Sequence, residues 1–214
     1  MWYRTFLRCA FYHFYREFAW SYDTVAWVVS GGWWQAWTLT VLPELRGRTL
    51  ELGFGTGHLQ LALAARPAVV GLDASPHMAL RTARRLRAAG RIPRLARGYA
   101  QALPFPTATF DTVVATFPAE YILDPASHAE IRRVLAPGGR LILVPFAQLA
   151  PGLYAELVTL AYRLTLQAPP RQTDPVASAP HLTFAGITLV PQWVQVGPSR
   201  VLLLIGEVRA TTDG

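Results

Sequence analysis

Glu51-Leu-Gly-Phe-Gly-Thr-Gly-His-Leu59 sets glycine at every second position directly after a strand-like apolar run, and few folds accommodate that arrangement. Backbone without Cβ atoms turns sharply at a strand end and lets a ligand press against it. Val69-Val-Gly-Leu-Asp73 follows about one βα unit later and reads as a second buried strand, with Asp73 at its carboxyl end. In a parallel sheet that carboxylate lies beside the glycine turn, where it can accept from two ribose hydroxyls. The pattern predicts a nucleoside-binding crevice.

Glycine spacing and charge narrow the nucleoside. Dinucleotide sites favour G-x-G-x-x-G, with a helix N-terminus holding the pyrophosphate. Here the glycines are Gly53, Gly55 and Gly57, and position 58 is His. Glu51 stands two residues before the first glycine. A carboxylate there repels a pyrophosphate but suits an ammonium or a sulfonium. E-x-G-x-G-x-G therefore favours S-adenosyl-L-methionine over NAD.

From Arg48 onward strand-like and helix-like segments alternate, the pattern of a parallel sheet with right-handed crossovers. Strands are predicted at 48–52, 68–73, 93–97, 110–116 and 139–145, and helices at 57–65, 76–89 and 125–136. Pro76 suits a first helical turn and Gly90 a helix end. Residues 151–166 read as helix and the proline-rich stretch 167–180 as loop. Strands 186–196 and 200–208 flank Gly197-Pro198-Ser199 as a closing hairpin. At 214 residues the chain suits one domain. It divides into an aromatic-rich helical cover at 1–47 and a cofactor-binding unit at 48–214. Tyr3, Leu7, Phe11, Phe14 and Phe18 recur at helical steps within that cover.

Composition excludes some chemistry. Cys9 is the only cysteine, which rules out an internal disulfide and a cysteine zinc cluster, and no metal site is expected. All 20 basic residues are arginine, and the net charge of +7 points toward acidic partners. Arg4, Arg8, Arg16 and Glu17 interrupt any apolar leader, so a cytoplasmic location is the expectation.

At five segments in order, the chain resembles the class I S-adenosylmethionine-dependent methyltransferases, in particular the branch of ubiquinone/menaquinone and small phospholipid methyltransferases. The segments are Glu51–Leu59, Gly71–Met78, Gly98–Phe105, Phe110–Val114 and Arg133–Leu141. The resemblance implies an α/β, Rossmann-like, doubly wound seven-stranded sheet, mostly parallel, with an antiparallel C-terminal hairpin at one edge. It also implies cofactor contacts at Glu51, Gly53, Gly55, Gly57, Asp73, Ala74, Met78, Ala100, Gln101 and Phe117, with Tyr22 as a lid residue. Met78 and Phe117 have core packing as their alternative reading. Tyr99 stands where the family often carries an acid that reads the adenine amino group, leaving that contact to the Ala100 backbone N–H and to stacking.

Methyl transfer to a nucleophilic acceptor asks mainly for alignment, which contributes about 7–11 kcal/mol in well-oriented systems. Catalytic residues are accordingly few. Glu120 and Tyr121, just past the fourth strand, are the candidates for steering an acceptor or removing its proton. His58, His128 and His181 enter only by elimination. The aromatic N-terminal segment suggests a small hydrophobic or lipid-like acceptor, met at or near an anionic membrane face. One alternative is an RNA methyltransferase using the basic run Arg81, Arg84, Arg85, Arg87, Arg91, Arg94 and Arg97. Against nucleic acid stands Thr116-Phe117-Pro118-Ala119, which lacks the Asn/Asp-Pro-Pro-aromatic turn typical of amino-group methylation of bases. The other alternative is a non-catalytic S-adenosylmethionine-binding protein.

Overall fold

The computed structural model describes residue 27 and residues 30–66, 68–149 and 182–209. The helical steps from Tyr3 to Phe18, the predicted helix at 151–166, the loop 167–180, Tyr22, Cys9 and His181 lie outside the described residues.

Short, largely apolar runs produce the central strands, and Thr49–Leu52 is buried along its whole length. They are β1 (Thr49–Leu52), β2 (Val69–Asp73), β3 (Leu95–Arg97), β4 (Phe110–Thr116) and β5 (Leu135–Val144). The chain then adds β6 (Ala147–Gln148), β7 (Leu182–Phe184), β8 (Ile187–Val196) and β9 (Ser199–Glu207). The sheet order is β3-β2-β1-β4-β5-β9-β8-β7, with β6 pairing on β9. Neighbours from β3 through β5 run parallel, and β5–β9, β8–β9, β7–β8 and β6–β9 run antiparallel. The mostly parallel sheet with an antiparallel C-terminal hairpin is as expected. Among the described residues its strands are the seven expected ones plus β6 and β7, only two and three residues long.

The apolar residues sort by strand alternation onto two faces. Val113, Ala115, Leu141, Leu143, Leu202 and Leu204 join one buried cluster, which also holds Ile131 and Val134 of α4 (Pro125–Val134). Val114, Ile142, Val144, Val201 and Leu203 join the other, against Trp37 of α1 (Trp34–Leu39) and Leu59 and Leu63 of α2 (His58–Leu63). Burial on both sides is what parallel strands require. Between α2 and α4 in sequence, α3 (Pro76–Ala88) starts at the Ser75 cap, whose hydroxyl accepts from the Met78 N–H, with Pro76 in the first turn.

The predicted helix 125–136 stops at Val134, because Leu135 already pairs with Phe110 as the first residue of β5. The register then jumps to Thr112 opposite Arg140, so Pro137-Gly138-Gly139 bulges out of the strand instead of preceding it. Chain order reverses between β1 and β4. That topological switch point is where an open α/β sheet forms its ligand crevice, at the carboxyl ends of the strands.

Candidate functional site

Leu50 and Leu52 of β1 face the α4 side of the sheet, so Glu51 between them faces α2. Its side chain is 1% exposed, and Oε2 accepts from Gln60 Nε2 at 2.7 Å. Burial pushes the Glu51 carboxyl up to about 7; the Gln60 hydrogen bond opposes the rise, and the Asp73 charge adds to it.

Asp73, closing β2, anchors the loop that leaves β1. The Gly55 N–H donates to its Oδ2 at 2.9 Å, and the Ser75 N–H donates to Oδ1 at 2.8 Å. Burial raises this carboxyl also, against those two backbone donors. Each oxygen keeps a second acceptor direction. Asp73 therefore fixes the loop and still has capacity for a pair of hydroxyls.

Two glycines of the loop are required by what lies against them. Gly53 has φ 71°, and a Cβ there would come within 2.7 Å of the Tyr121 hydroxyl oxygen. Gly57 has φ 80°, and a Cβ would strike the Thr82 side chain of α3. The Thr82 hydroxyl donates to the Gly55 carbonyl at 2.8 Å, and the Arg85 guanidinium donates to the Thr56 carbonyl. At least one member of the Arg81–Arg97 run thus holds the loop. Arg84, Arg87, Arg91, Arg94 and Arg97 are exposed.

Tyr121 enters from the 3-10 turn Glu120–Leu123 and donates to the Leu52 carbonyl at 3.1 Å. Burial raises its phenol well above the ordinary tyrosine value, and the nearby charges of Asp73 and Glu51 add to the rise. In its protonated state the phenol is a hydrogen-bond donor. Glu120, on the same turn, is exposed. His128 belongs to the scaffold: its Nε2 lies 2.8 Å from the Ile122 carbonyl, and its ring packs on Phe184 at 4.0 Å.

Beyond β4, Phe117 sits at φ 48°, a left-handed conformation unusual for an aromatic residue, with its N–H donating to the Val144 carbonyl at 2.7 Å. That backbone turns the ring onto Trp34, 4.4 Å between centroids, with Trp37 at 6.3 Å. Trp34 and Trp37 thus bring α1 to the edge of the crevice, a contact absent from the sequence reading. On the far side Ala100 is buried, whereas Ala74 is exposed and Tyr99 is 68% exposed. Gln101 Nε2 donates to Asp124 Oδ2 at 3.1 Å, and its Oε1 is buried with no hydrogen-bond partner. Met78 is half-buried on α3.

The residues fit the predicted cofactor. A Cβ-free cradle, one buried and one half-buried carboxylate and one unpartnered amide oxygen suit a ligand with an ammonium, a diol and an exocyclic amine. Gln60 was missed because a glutamine inside a helix carries no motif of its own. Among the described residues, no group of three or more His, Cys, Asp or Glu is placed to hold a metal ion, and no helix is long and apolar enough to cross a membrane.

Comparison with known proteins gives the family and the fold. Residues 50–143 match the family described as a methyltransferase domain. The demethylmenaquinone methyltransferase of Thermus thermophilus is 34% identical over 161 residues, covering 72% of this chain and 71% of that protein. The phosphatidylethanolamine N-methyltransferase of Cereibacter sphaeroides is 38% identical over 101 residues, or 46% of this chain and 50% of that one. Among solved structures, an S-adenosylmethionine-dependent methyltransferase from Thermotoga maritima, described as a possible histamine N-methyltransferase, covers 92% of this chain and 100% of its own. Its TM-score is 0.58 at 19% identity, a likeness of fold. The chain is an S-adenosyl-L-methionine-dependent methyltransferase and belongs to the class I family, in the branch of the quinone and phospholipid enzymes.

Proposed function

We propose that the chain methylates a ring carbon of a hydrophobic, quinone-type acceptor in its reduced, hydroxylated form. The supporting observation is the aromatic wall beside the crevice, Phe117 stacked on Trp34 at 4.4 Å with an interplanar angle of 30°. A planar ring gains from such a wall through offset stacking and burial, about 0.5–1.5 kcal/mol beyond area alone. The Thermus relative, named for demethylmenaquinone, supports the same acceptor class.

The cofactor supplies an electrophilic methyl on a positively charged sulfur. In this reading Glu51 takes its ammonium, Asp73 its ribose hydroxyls, and Gly53, Gly55 and Gly57 let its chain lie on the backbone. Ala100 and Gln101 read the adenine edge, with Gln101 Oε1 as acceptor for the amino group. Ala74 and Met78 border the adenine pocket. Tyr121 steers by position, because its one phenolic proton is given to the Leu52 carbonyl. Glu120 is the group left to receive the proton that the ring gives up as the new carbon–carbon bond forms.

Purified chain incubated with labelled methyl donor and three acceptor pools tests the reading. The pools are a reduced naphthoquinone lacking the ring methyl, phosphatidylethanolamine vesicles, and total RNA. Label in the naphthoquinone is the expected result. Label in the vesicles would move the acceptor to a headgroup amine. Label in RNA would assign the exposed arginines of the Arg81–Arg97 run to phosphate contacts.

A further inference from the structure

Glu51 is oriented by one side chain that belongs to no glycine-loop motif. Gln60 projects from the first turn of α2, is 4% exposed, and reaches Glu51 Oε2 with its amide nitrogen at 2.7 Å. The reach depends on Gly71 of β2, the strand neighbour directly paired with Glu51. A Cβ on Gly71 would lie 2.8 Å from both Cδ and Nε2 of Gln60, so any other residue there would displace the amide. Three positions on three elements are thereby matched: the carboxylate, its donor, and the missing methyl that makes room for the donor. On its far side Gln60 lines a cavity of about 210 Å³ rimmed by Arg66, Arg91 and Arg94.

We propose that Gln60 is a positioning residue for cofactor binding: its amide holds the Glu51 carboxylate in the place and charge state that receive the cofactor's ammonium. The inference rests on the cofactor site described above.

The surroundings make this role necessary. The polar groups around Glu51 are Gln60 from α2, the Asp73 carboxylate from β2 and the Tyr121 phenol from the turn after β4; the β4 residue opposite it is Val114. Asp73 is like-charged and burial opposes ionisation, whereas the Gln60 donor favours the charged form. An ammonium gains from Glu51 only when the carboxylate is ionised, so protons and cofactor compete for it. Removing the donor shifts that competition toward higher pH, and the cofactor loses affinity most where the proton wins.

Calorimetric binding of S-adenosyl-L-homocysteine between pH 5.5 and 8.5 tests the inference, comparing wild type with Gln60→Met. Methionine keeps the length and the packing against Gly71 while losing the donor. Taking the ratio of the two dissociation constants at each pH cancels the ligand's own titration. The expected ratio is about tenfold at pH 6 for a one-unit displacement of Glu51, closing to within about twofold by pH 8.5. In a Glu51→Gln background Gln60→Met should change the dissociation constant by less than about twofold. A ratio that stays constant across the pH range, or effects of the two substitutions that simply add, would overturn the positioning role. No binding by the wild-type chain at any pH would overturn the site itself along with it.

Discussion

At the residue scale, Asp73 shows how one side chain serves both loop and ligand. Its two oxygens accept from the Gly55 and Ser75 N–H groups, so the carboxylate is fixed before any ligand arrives. Asp73→Asn turns one of those acceptors into a donor facing a donor and removes the charge that strengthens the remaining hydrogen bonds. Loss of hydrogen bonds to a charged group costs about 1.5–3 kcal/mol, so S-adenosyl-L-homocysteine should bind roughly 10–100-fold more weakly, measured by calorimetry. Unchanged affinity would remove Asp73 from the ribose contact. Asp73 and the three glycines were legible because spacing along the chain carries them. Gln60 and the contact of the Tyr121 phenol with Gly53 were not: one matters through Gly71 across a helix–strand contact, the other joins positions nearly seventy residues apart. The substitution of Tyr99 for an acid was legible, but the buried, unpartnered oxygen of Gln101 emerges only once the loop is folded.

At the element scale, the closing hairpin holds the helix that borders the crevice. The Trp37 indole of α1 donates to the Ser199 hydroxyl at 2.6 Å, at the start of β9, and Ser199 in turn donates to the Val196 carbonyl at 2.7 Å. Trp33 lies over Gly197 in the same turn, where a Cβ would collide with its ring. Ser199→Ala leaves a buried indole N–H without its acceptor and should destabilise the chain by about 1–3 kcal/mol in urea unfolding. Because Trp34 and Trp37 flank Phe117 from the same helix, turnover should fall in step while cofactor affinity holds. Equal stability in the variant would show that α1 does not depend on the hairpin. Strands such as Phe110–Thr116 and the Gly197 turn were readable from apolar runs and turn residues. The helix Trp34–Leu39 was not resolved within an uncharged stretch whose tryptophans give no clear period, and β6 and β7 are too short to carry one. The β5 start was misread because a Pro-Gly-Gly turn normally precedes a strand, whereas here it bulges from one already paired.

At the scale of the whole molecule, acidic groups pull stability in opposite directions with pH. Hydrogen bonds from arginine partners hold the carboxyls of Asp111, Glu130 and Glu207 below their ordinary values. Glu207 shares Arg140 with Glu44, a network joining β9, β5 and the turn before β1. Groups lowered in this way stabilise the fold above their unfolded values and lose that contribution as pH falls through the folded ones. Glu51 behaves oppositely. Its folded value of about 7 exceeds the ordinary 4.5, so the fold binds the extra proton and loses stability as pH rises between those two values. The displacement corresponds to about 3 kcal/mol once pH exceeds 7. Glu51→Gln keeps an oxygen for the Gln60 amide and cannot ionise. Without ligand it should melt near the wild type at pH 5 and roughly 5–10 °C above it at pH 8. A gap that does not widen with pH would show that Glu51 ionises in the fold as readily as in the unfolded chain. With S-adenosyl-L-homocysteine added at pH 8 the order should narrow or reverse, because the wild-type carboxylate then gains an ammonium partner that the amide lacks. The instability of the empty crevice at neutral pH would thus be the counterpart of its affinity for a cationic ligand.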